Sequence, residues 1–146
     1  MPSPWVKDRV ALATSAAHLA RGDPQAAMDT LQQMTLRPEH ATAAARAHLA
    51  AGENEAARTI LDSIADDSHT GPAVTVRTLL VRTQTAIASG DRAATRRLLT
   101  RAPVCARPED IRLPFREAGP STPAVDRDLD GRTAVSRRWW QSRARA

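Results

Sequence analysis

The sequence is poor in the residues that mark several common classes of protein. Its 146 residues include one cysteine, no tyrosine and a single phenylalanine. One thiol excludes an internal disulfide and a cluster of thiolate metal ligands. The few aromatic side chains provide no platform on which unpaired bases could stack. We therefore expect a reducing, cytoplasmic environment, with no bound metal and no cofactor.

Long apolar runs are also missing from the chain. The N-terminal stretch MPSPWVKDRV contains three charged residues within its ten positions. A signal peptide requires a continuous apolar segment, and a membrane-spanning helix requires roughly 18 or more apolar residues in succession. We therefore predict neither export by a signal peptide nor a transmembrane helix.

Alanine supplies much of the apolar content that is present. Of the 61 apolar residues 29 are alanine, whereas leucine, isoleucine, valine and phenylalanine together number 25. Alanine is the strongest helix former, but its side chain buries little surface. The composition therefore predicts closely packed helices around a thin core.

One pattern recurs three times along the chain. It reads LARGDPQAAMDTL at 19–31, LAAGENEAARTIL at 49–61 and IASGDRAATRRLL at 87–99. The glycines Gly22, Gly52 and Gly90 are separated by 30 and 38 residues, close to the spacing of about 34 in a helix–turn–helix repeat of the tetratricopeptide kind. The longer interval contains the loop-forming segment DDSHTGP at 66–72.

Each glycine is predicted to end the first helix of a hairpin in the left-handed conformation. Asp23 and Asp91 follow, where a side-chain oxygen can cap the second helix, and Glu53 and Asn54 occupy this place in the middle repeat. Small and large apolar residues then recur at fixed distances from the glycines and predict the buried face of each second helix. They are Ala27, Ala57, Leu31 and Leu61.

These signals predict an all-α fold of three antiparallel helix hairpins, stacked as a short tetratricopeptide-like solenoid. The first helices are expected at about 4–21, 38–51 and 72–89, each beginning at a proline. Within the third, the β-branched residues of 73–85 would also suit a strand, but a lone strand would have no partner. We expect a helical-repeat domain at 1–120 and a flexible tail at 121–146.

Beyond the repeats, the chain resembles a known family. The opening SPWVKDRVALATSAAHLARGDPQAAMDTL, the repeats and RPEDIRLPFREAGP at 107–120 look like the last part of the helical sensor region in large ATP-binding transcription regulators of the LuxR family, the MalT-like group. The resemblance covers about 4–120. It implies a non-enzymatic sensor or interaction module that binds a protein or an effector.

Two parts of such regulators have no counterpart in this sequence. The chain lacks the G-x-x-x-x-G-K-[ST] pattern of a phosphate-binding loop, and the residues after Pro120 offer no pair of helices for a helix-turn-helix. We therefore expect neither ATP binding nor sequence-specific DNA recognition. The chain is interpreted as a severed sensor arm or as an independent relative of one.

Stacked hairpins leave a concave face, lined by the first helix of each repeat, on which such proteins bind their partners. We predict that this face binds a protein or an effector. The candidate groove residues are Arg9, His18, Thr42, Arg46, Arg77 and Arg82. His18 and His48 hold the same place in their repeats, four residues before the glycine, where packing is a better interpretation than metal binding.

The net charge of +5 offers an alternative function. Residues 132–146 contain five arginines and no acid, whereas residues 1–131 carry 16 basic and 16 acidic side chains. The tail could therefore contact nucleic acid or another anionic surface, or it could be a disordered basic extension. The residues for such contact are Arg137, Arg138, Trp139, Trp140 and Arg143. Because the last repeat shows no strongly polar capping helix, we also expect self-association through a solenoid end.

Overall fold

Six α-helices make up the fold in a computed structural model that describes residues 3–34, 37–64 and 70–106. They are α1 (Pro4–Ala20), α2 (Pro24–Leu31), α3 (Pro38–Ala50), α4 (Asn54–Ser63), α5 (Pro72–Ala88) and α6 (Arg92–Ala106). These ranges contain no strand, so the prediction of an all-α fold is confirmed and the strand alternative for 73–85 is wrong. None of these helices is both long enough and apolar enough to cross a bilayer.

Prolines and glycines set the ends of the first helices. Pro4, Pro38 and Pro72 occupy the first helical position, where the fixed φ of proline suits a helix and its missing N–H is not needed. Gly22, Gly52 and Gly90 have φ values of 77°, 81° and 74°. Each glycine therefore lies in the left-handed region, as predicted, and each first helix ends within one residue of the predicted position.

The glycine turns share one hydrogen-bond pattern. After α1, the N–H of Gly22 donates to the carbonyl of Leu19 at 3.1 Å, and the N–H of Asp23 donates to the carbonyl of His18 at 3.0 Å. This is the Schellman arrangement, which satisfies carbonyls left over at a helix end. The turns at Gly52 and Gly90 contain the same two bonds, so all three hairpins fold back in the same way.

The caps of the second helices differ between the repeats. Asp23 Oδ1 accepts from the N–H of Ala26 at 3.0 Å, and Asp91 caps α6 in the same manner. In the middle repeat the N-cap is Glu53, which makes no side-chain cap bond. Its longer side chain instead reaches back to His48, where Oε2 lies 2.6 Å from Nδ1. Asn54 is the first helical residue and not the cap, so the prediction that it caps α4 is wrong.

Alanines lie at the centre of the helix contacts, as the composition predicted. α1 and α2, α3 and α4, and α5 and α6 form the three hairpins, and α3 packs against both α1 and α5. Four alanines in α2, α3 and α4 have no exposed surface. They are Ala27, Ala45, Ala47 and Ala57. The larger buried side chains are few, and Leu61 is among them at 2% exposure.

Buried threonines join the second repeat to the third. The Oγ1 atoms of Thr42 in α3 and Thr78 in α5 are 2.8 Å apart, within hydrogen-bonding distance. Thr83 and Thr85 donate to carbonyls one turn earlier in α5, and the single proton of Thr78 is directed either to the Val74 carbonyl or to Thr42. Because these bonds satisfy the hydroxyls, the threonines can be buried within α5.

The outer side of α6 is strongly basic. The helix continues through Pro103 to Ala106 and contains no acidic residue. Its exposed positions include four arginines, together with Val104. The arginines are Arg92, Arg96, Arg97 and Arg101. The last repeat therefore does present a polar outer helix, and the expectation that it lacks one is wrong.

Candidate partner-binding groove

A groove of about 430 Å³ runs along the first helices of the three repeats. α1, α3 and α5 each contribute to its walls, because α3 lies between the other two. Four of the six predicted groove residues line it, namely Arg9, Thr42, Arg46 and Arg77. The structure therefore brings side chains from all three repeats to one concave surface.

The walls of the groove are mostly small or aliphatic. Leu12, Leu19, Val74 and Val81 provide apolar surface. Between them lie four alanines, which keep the side-chain layer thin. They are Ala13, Ala16, Ala43 and Ala73. A ligand can therefore approach the helix backbones closely and still bury apolar groups.

The charged side chains of the groove are predominantly basic. Its lining contains the three arginines Arg9, Arg46 and Arg77 and one acid, Glu39. The guanidinium of Arg9 also lies 5.9 Å from the ring centroid of Trp5, within the range of a cation–π contact. The lining therefore carries an excess of basic over acidic side chains, next to its apolar surface.

Two hydroxyls also line the groove. Thr42 Oγ1 donates to the carbonyl of Pro38 at 2.7 Å and contacts Thr78. Ser15 is buried at 1% exposure, and its Oγ has no hydrogen-bond partner among the residues that the structure describes. A buried hydroxyl without a partner is uncommon, and because the Ser15 Oγ has almost no accessible surface, it lies behind the groove surface and is not exposed to it.

Arg82 and His18, which were predicted for the groove, do not line it. Arg82 Nη2 donates to the carbonyls of Leu61 at 2.9 Å and Ile64 at 3.3 Å, and so ties α5 to the end of α4. His18 lies in the last turn of α1, away from the groove lining. Its place on the helix explains this, because nine residues separate His18 from Arg9, about half a turn out of phase at 100° per residue.

The remaining histidines of the described helices do not form a site together. His48 pairs with the exposed Glu53, and His40 is buried in α3 without a hydrogen-bond partner in the described part of the chain. No group of three His, Cys, Asp or Glu side chains within the described ranges could hold a metal ion. The tail candidates Arg137, Arg138, Trp139, Trp140 and Arg143 lie outside the described residues.

Among the polar and aromatic residues at this surface, sequence reasoning missed Ser15 and Glu39 of the lining and Trp5, which contacts Arg9. Helical spacing was the available signal for two of them. Trp5 is one turn before Arg9, and Glu39 precedes Arg46 by seven residues, or two turns. Nothing in the local sequence distinguishes Ser15, because its burial depends on the packing of α1 against the neighbouring helices.

Comparison with known proteins agrees with this geometry. Residues 18–80 match a tetratricopeptide repeat family. The segment is a tetratricopeptide-like repeat region. It begins in the last turn of α1, includes the turns at Gly22 and Gly52, and ends within α5. Tetratricopeptide repeats generally mediate protein–protein interactions, typically as non-catalytic scaffolds.

The tetratricopeptide match covers less than half of the chain. The third hairpin lies mostly beyond it, yet its Gly90 turn has the same hydrogen bonds as the two matched tetratricopeptide turns. No curated protein and no solved structure shows a significant match. The tetratricopeptide match ends before 107–120, so the resemblance to LuxR-type regulators stays a prediction.

Proposed function

We propose that this chain is a non-enzymatic interaction module that binds a segment of a partner protein in the groove. The observation that carries this proposal is the groove itself, which collects side chains from three successive first helices around a volume of about 430 Å³. An extended peptide can contact all three repeats at once in such a groove. Because each repeat contributes part of the contact, binding depends on the stacking of the hairpins.

Charge complementarity favours an acidic partner segment. Three arginines against one glutamate give the lining an excess of positive charge. The planar guanidinium group of arginine pairs with carboxylates through two parallel hydrogen bonds. Small apolar residues interspersed with Asp or Glu would fill the space above the alanines. The proposed ligand is therefore an acidic peptide segment with small apolar side chains.

The chemistry of the groove supports a binding role over a catalytic one. A hydroxyl nucleophile requires a neighbouring base within hydrogen-bonding distance. The hydroxyl of Thr42 already contacts Pro38 and Thr78, and that of Ser15 is buried with no base within hydrogen-bonding distance among the described residues, although the lining includes the carboxylate of Glu39. Bound in this groove, a peptide would be held without being modified.

The resemblance at 107–120 suggests the biological setting of this module. In LuxR-type regulators of the MalT-like group, the repeat region receives the signal and transmits it to other domains. We propose a corresponding cytoplasmic sensor role, in which the captured protein segment or an effector is the signal. Sequencing the gene with its flanks tests this origin. A nucleotide-binding module encoded upstream and a helix-turn-helix encoded downstream would support this origin. Stop codons that separate the reading frame from unrelated genes on both sides would contradict it.

Selection of peptides from a random phage-displayed library tests the groove. Against the immobilised full chain, we expect peptides enriched in Asp and Glu. Reversing two groove charges, Arg9→Glu with Arg77→Glu, should weaken their binding at least tenfold, because one hydrogen bond to a charged group is worth about 1.5–3 kcal/mol. The Ala43→Trp substitution, which fills the groove without changing its charge, should weaken it similarly.

Arg97→Glu serves as the matched control, since it reverses an exposed arginine on α6, outside the groove. This variant should bind the selected peptides like the wild type. Circular dichroism checks that each variant keeps its helices. Recovered peptides without acidic enrichment would contradict the ligand class, and binding that is insensitive to both groove variants would contradict the groove as the site.

A second candidate function, binding of nucleic acid or another polyanion, is favoured by the outer side of α6. This helix presents four exposed arginines and contains no acid, and the sequence at 132–146 adds five more arginines. Fluorescence anisotropy with a single-stranded oligonucleotide at increasing salt tests this candidate. If α6 carries the binding, replacing Arg96, Arg97 and Arg101 by glutamate should reduce the salt slope by about 0.7 for each phosphate that is no longer neutralised.

Deleting 132–146 separates the tail from α6 in the same measurement. Loss of binding and of its steep salt dependence would assign the site to the tail. Retained binding that depends on the α6 arginines would assign it to that helix. The groove variant Arg9→Glu with Arg77→Glu is the control and should leave oligonucleotide binding unchanged. An affinity too weak to measure at physiological salt for the wild type would eliminate this candidate.

A further inference from the structure

An apolar stripe is exposed along the outer side of α1. The outer stripe consists of Val6, Val10, Ala13 and Ala17, which follow each other at intervals of four, three and four residues. All four are exposed, Val10 at 58%, and Ala13 also borders the groove. Spacing of this kind places side chains on one face of a helix and is typical of a surface that packs against another helix.

The later repeats show what the equivalent positions do. Alignment on the glycines places Val10 with His40 of α3 and Thr78 of α5, which are 4% and 8% exposed. Both residues lie in helices that follow a complete hairpin, and Thr78 contacts Thr42 of the preceding repeat. At this position of the repeat the polar residues His40 and Thr78 are buried, whereas the apolar Val10 is exposed, the opposite of what polarity alone would predict.

Ala17 shows the same difference from its equivalents in the later repeats. Its equivalent in α3 is Ala47, which is fully buried and packs against Ala27 and Met28 of α2. In α5 the equivalent is Thr85, which is also buried. At the positions of Val10 and Ala17, the outer stripe of α1 therefore corresponds to residues that are buried in the other two repeats, whereas Ala43 and Val74, the counterparts of Ala13 and Val6, line the groove.

From this geometry we infer that the outer stripe of α1 is covered by the same stripe of a second copy, in an antiparallel pair related by a twofold axis. The sizes of the side chains along α1 favour the antiparallel orientation of the two helices. Within the outer stripe, Val6 and Val10 make the N-terminal half bulky, whereas Ala13 and Ala17 make the C-terminal half small. An antiparallel pair sets the bulky end of each copy against the small end of the other, which a parallel pair cannot do.

A head-to-tail arrangement through the other end of the solenoid is disfavoured by charge. Within the described part of the chain that end is α6, which presents exposed arginines. Packing them against the uncharged stripe would remove water from guanidinium groups without supplying carboxylates, which is costly. The stripe pairs with itself at no such cost. A single helix pair buries less than the roughly 1,200 Å² of a standard interface, so the expected dimer is weak and concentration-dependent.

Sedimentation velocity of the full chain tests this interface between about 5 µM and about 500 µM, a range that brackets weak dissociation constants. We expect the weight-average mass to rise from 15.8 kDa toward twice that value. Added salt should strengthen the dimer, because the exposed charges of α1 and its C-cap are Lys7, Arg9 and Arg21, all basic. A mass of 15.8 kDa throughout the range would overturn the inference.

Val10→Asp should hold the mass at that of the monomer at every concentration. Its matched control is Val104→Asp on α6, where the valine is 62% exposed, and this variant should associate like the wild type. Both sites are exposed, so neither change removes core packing. A dimer that survives Val10→Asp, or that disappears with Val104→Asp and not with Val10→Asp, would overturn the interface.

Disulfide trapping tests the orientation independently, in a Cys105→Ser background that removes the free thiol. Mixed Val6→Cys and Ala17→Cys proteins should give a cross-linked heterodimer in an antiparallel pair. Val6→Cys alone should cross-link poorly. Efficient homodimers of Val6→Cys would show parallel pairing and overturn the antiparallel arrangement.

Discussion

Replacing Leu61 with alanine is expected to lower the free energy of unfolding by about 2–5 kcal/mol, the range measured for buried leucines. Leu61 is 2% exposed and packs in one cluster with Ala45, Ala57 and Val81. Two of these neighbours are alanines without rotatable side chains, so they cannot move into the space that the substitution creates. The full cost of the cavity should therefore appear in urea unfolding followed by circular dichroism.

Leu99→Ala provides the matched control for this experiment. Leu99 has the same place relative to Gly90 as Leu61 has relative to Gly52, but it is only half-buried. Because the loss of stability scales with the apolar surface that burial removes from water, Leu99→Ala should destabilise clearly less. Equal losses for the two variants would contradict the packing described around α4.

Removing the Arg82 guanidinium is the second large effect that we expect. Arg82→Met keeps an unbranched side chain but eliminates the bonds to the Leu61 and Ile64 carbonyls at the end of α4. Hydrogen bonds to charged groups contribute about 1.5–3 kcal/mol, and a positive charge at a helix C-terminus adds to this. We therefore expect a loss of stability in this range, measured by the same unfolding experiment.

Arg58→Met is the control for a surface arginine. Arg58 forms an exposed pair with Asp62 at 3.8 Å within α4, and such pairs contribute about 0.3–0.5 kcal/mol. Its removal should scarcely move the unfolding midpoint. If Arg82→Met were equally mild, the guanidinium would not be what holds α5 against the end of α4.

Helix ends were the most predictable part of the fold. Pro38 and Pro72 begin their helices because the ring fixes φ, and Gly52 ends α3 because it adopts a φ of 81° without strain. These are local effects of single residues, so one sequence suffices to locate them. The cap of α4 was less predictable, because Glu53 had a competing partner in His48.

The groove was predictable at the level of helices and only partly at the level of residues. Thr42 and Arg46 are four residues apart and share a face of α3, as the structure shows. Arg77 and Arg82 are five residues apart, about 140° around the helix at 100° per residue, so they could not both face the groove. Helical periodicity alone could therefore have removed Arg82 from the predicted set.

Tertiary packing decided the features that the sequence left open. The β-branched residues of 73–85 favour a strand locally, yet Val76, Leu79 and Leu80 lie on one side of α5, against Ala102 of α6. A strand could not have placed these three side chains in one cluster. Propensity was overridden by the burial of a helical face.

The fully buried alanines constrain how this sequence can change. At Ala27, Ala45, Ala47 and Ala57 every other amino acid except glycine is larger, and an enlarged side chain would force the helices apart. Glycine avoids the clash but costs about 1 kcal/mol within a helix. Every substitution at these four positions is therefore expected to lower the stability of the fold, whereas the exposed arginines of α6 can be replaced without loss of packing. In proteins that have diverged from this sequence, we expect the buried alanines to be the positions that have changed least.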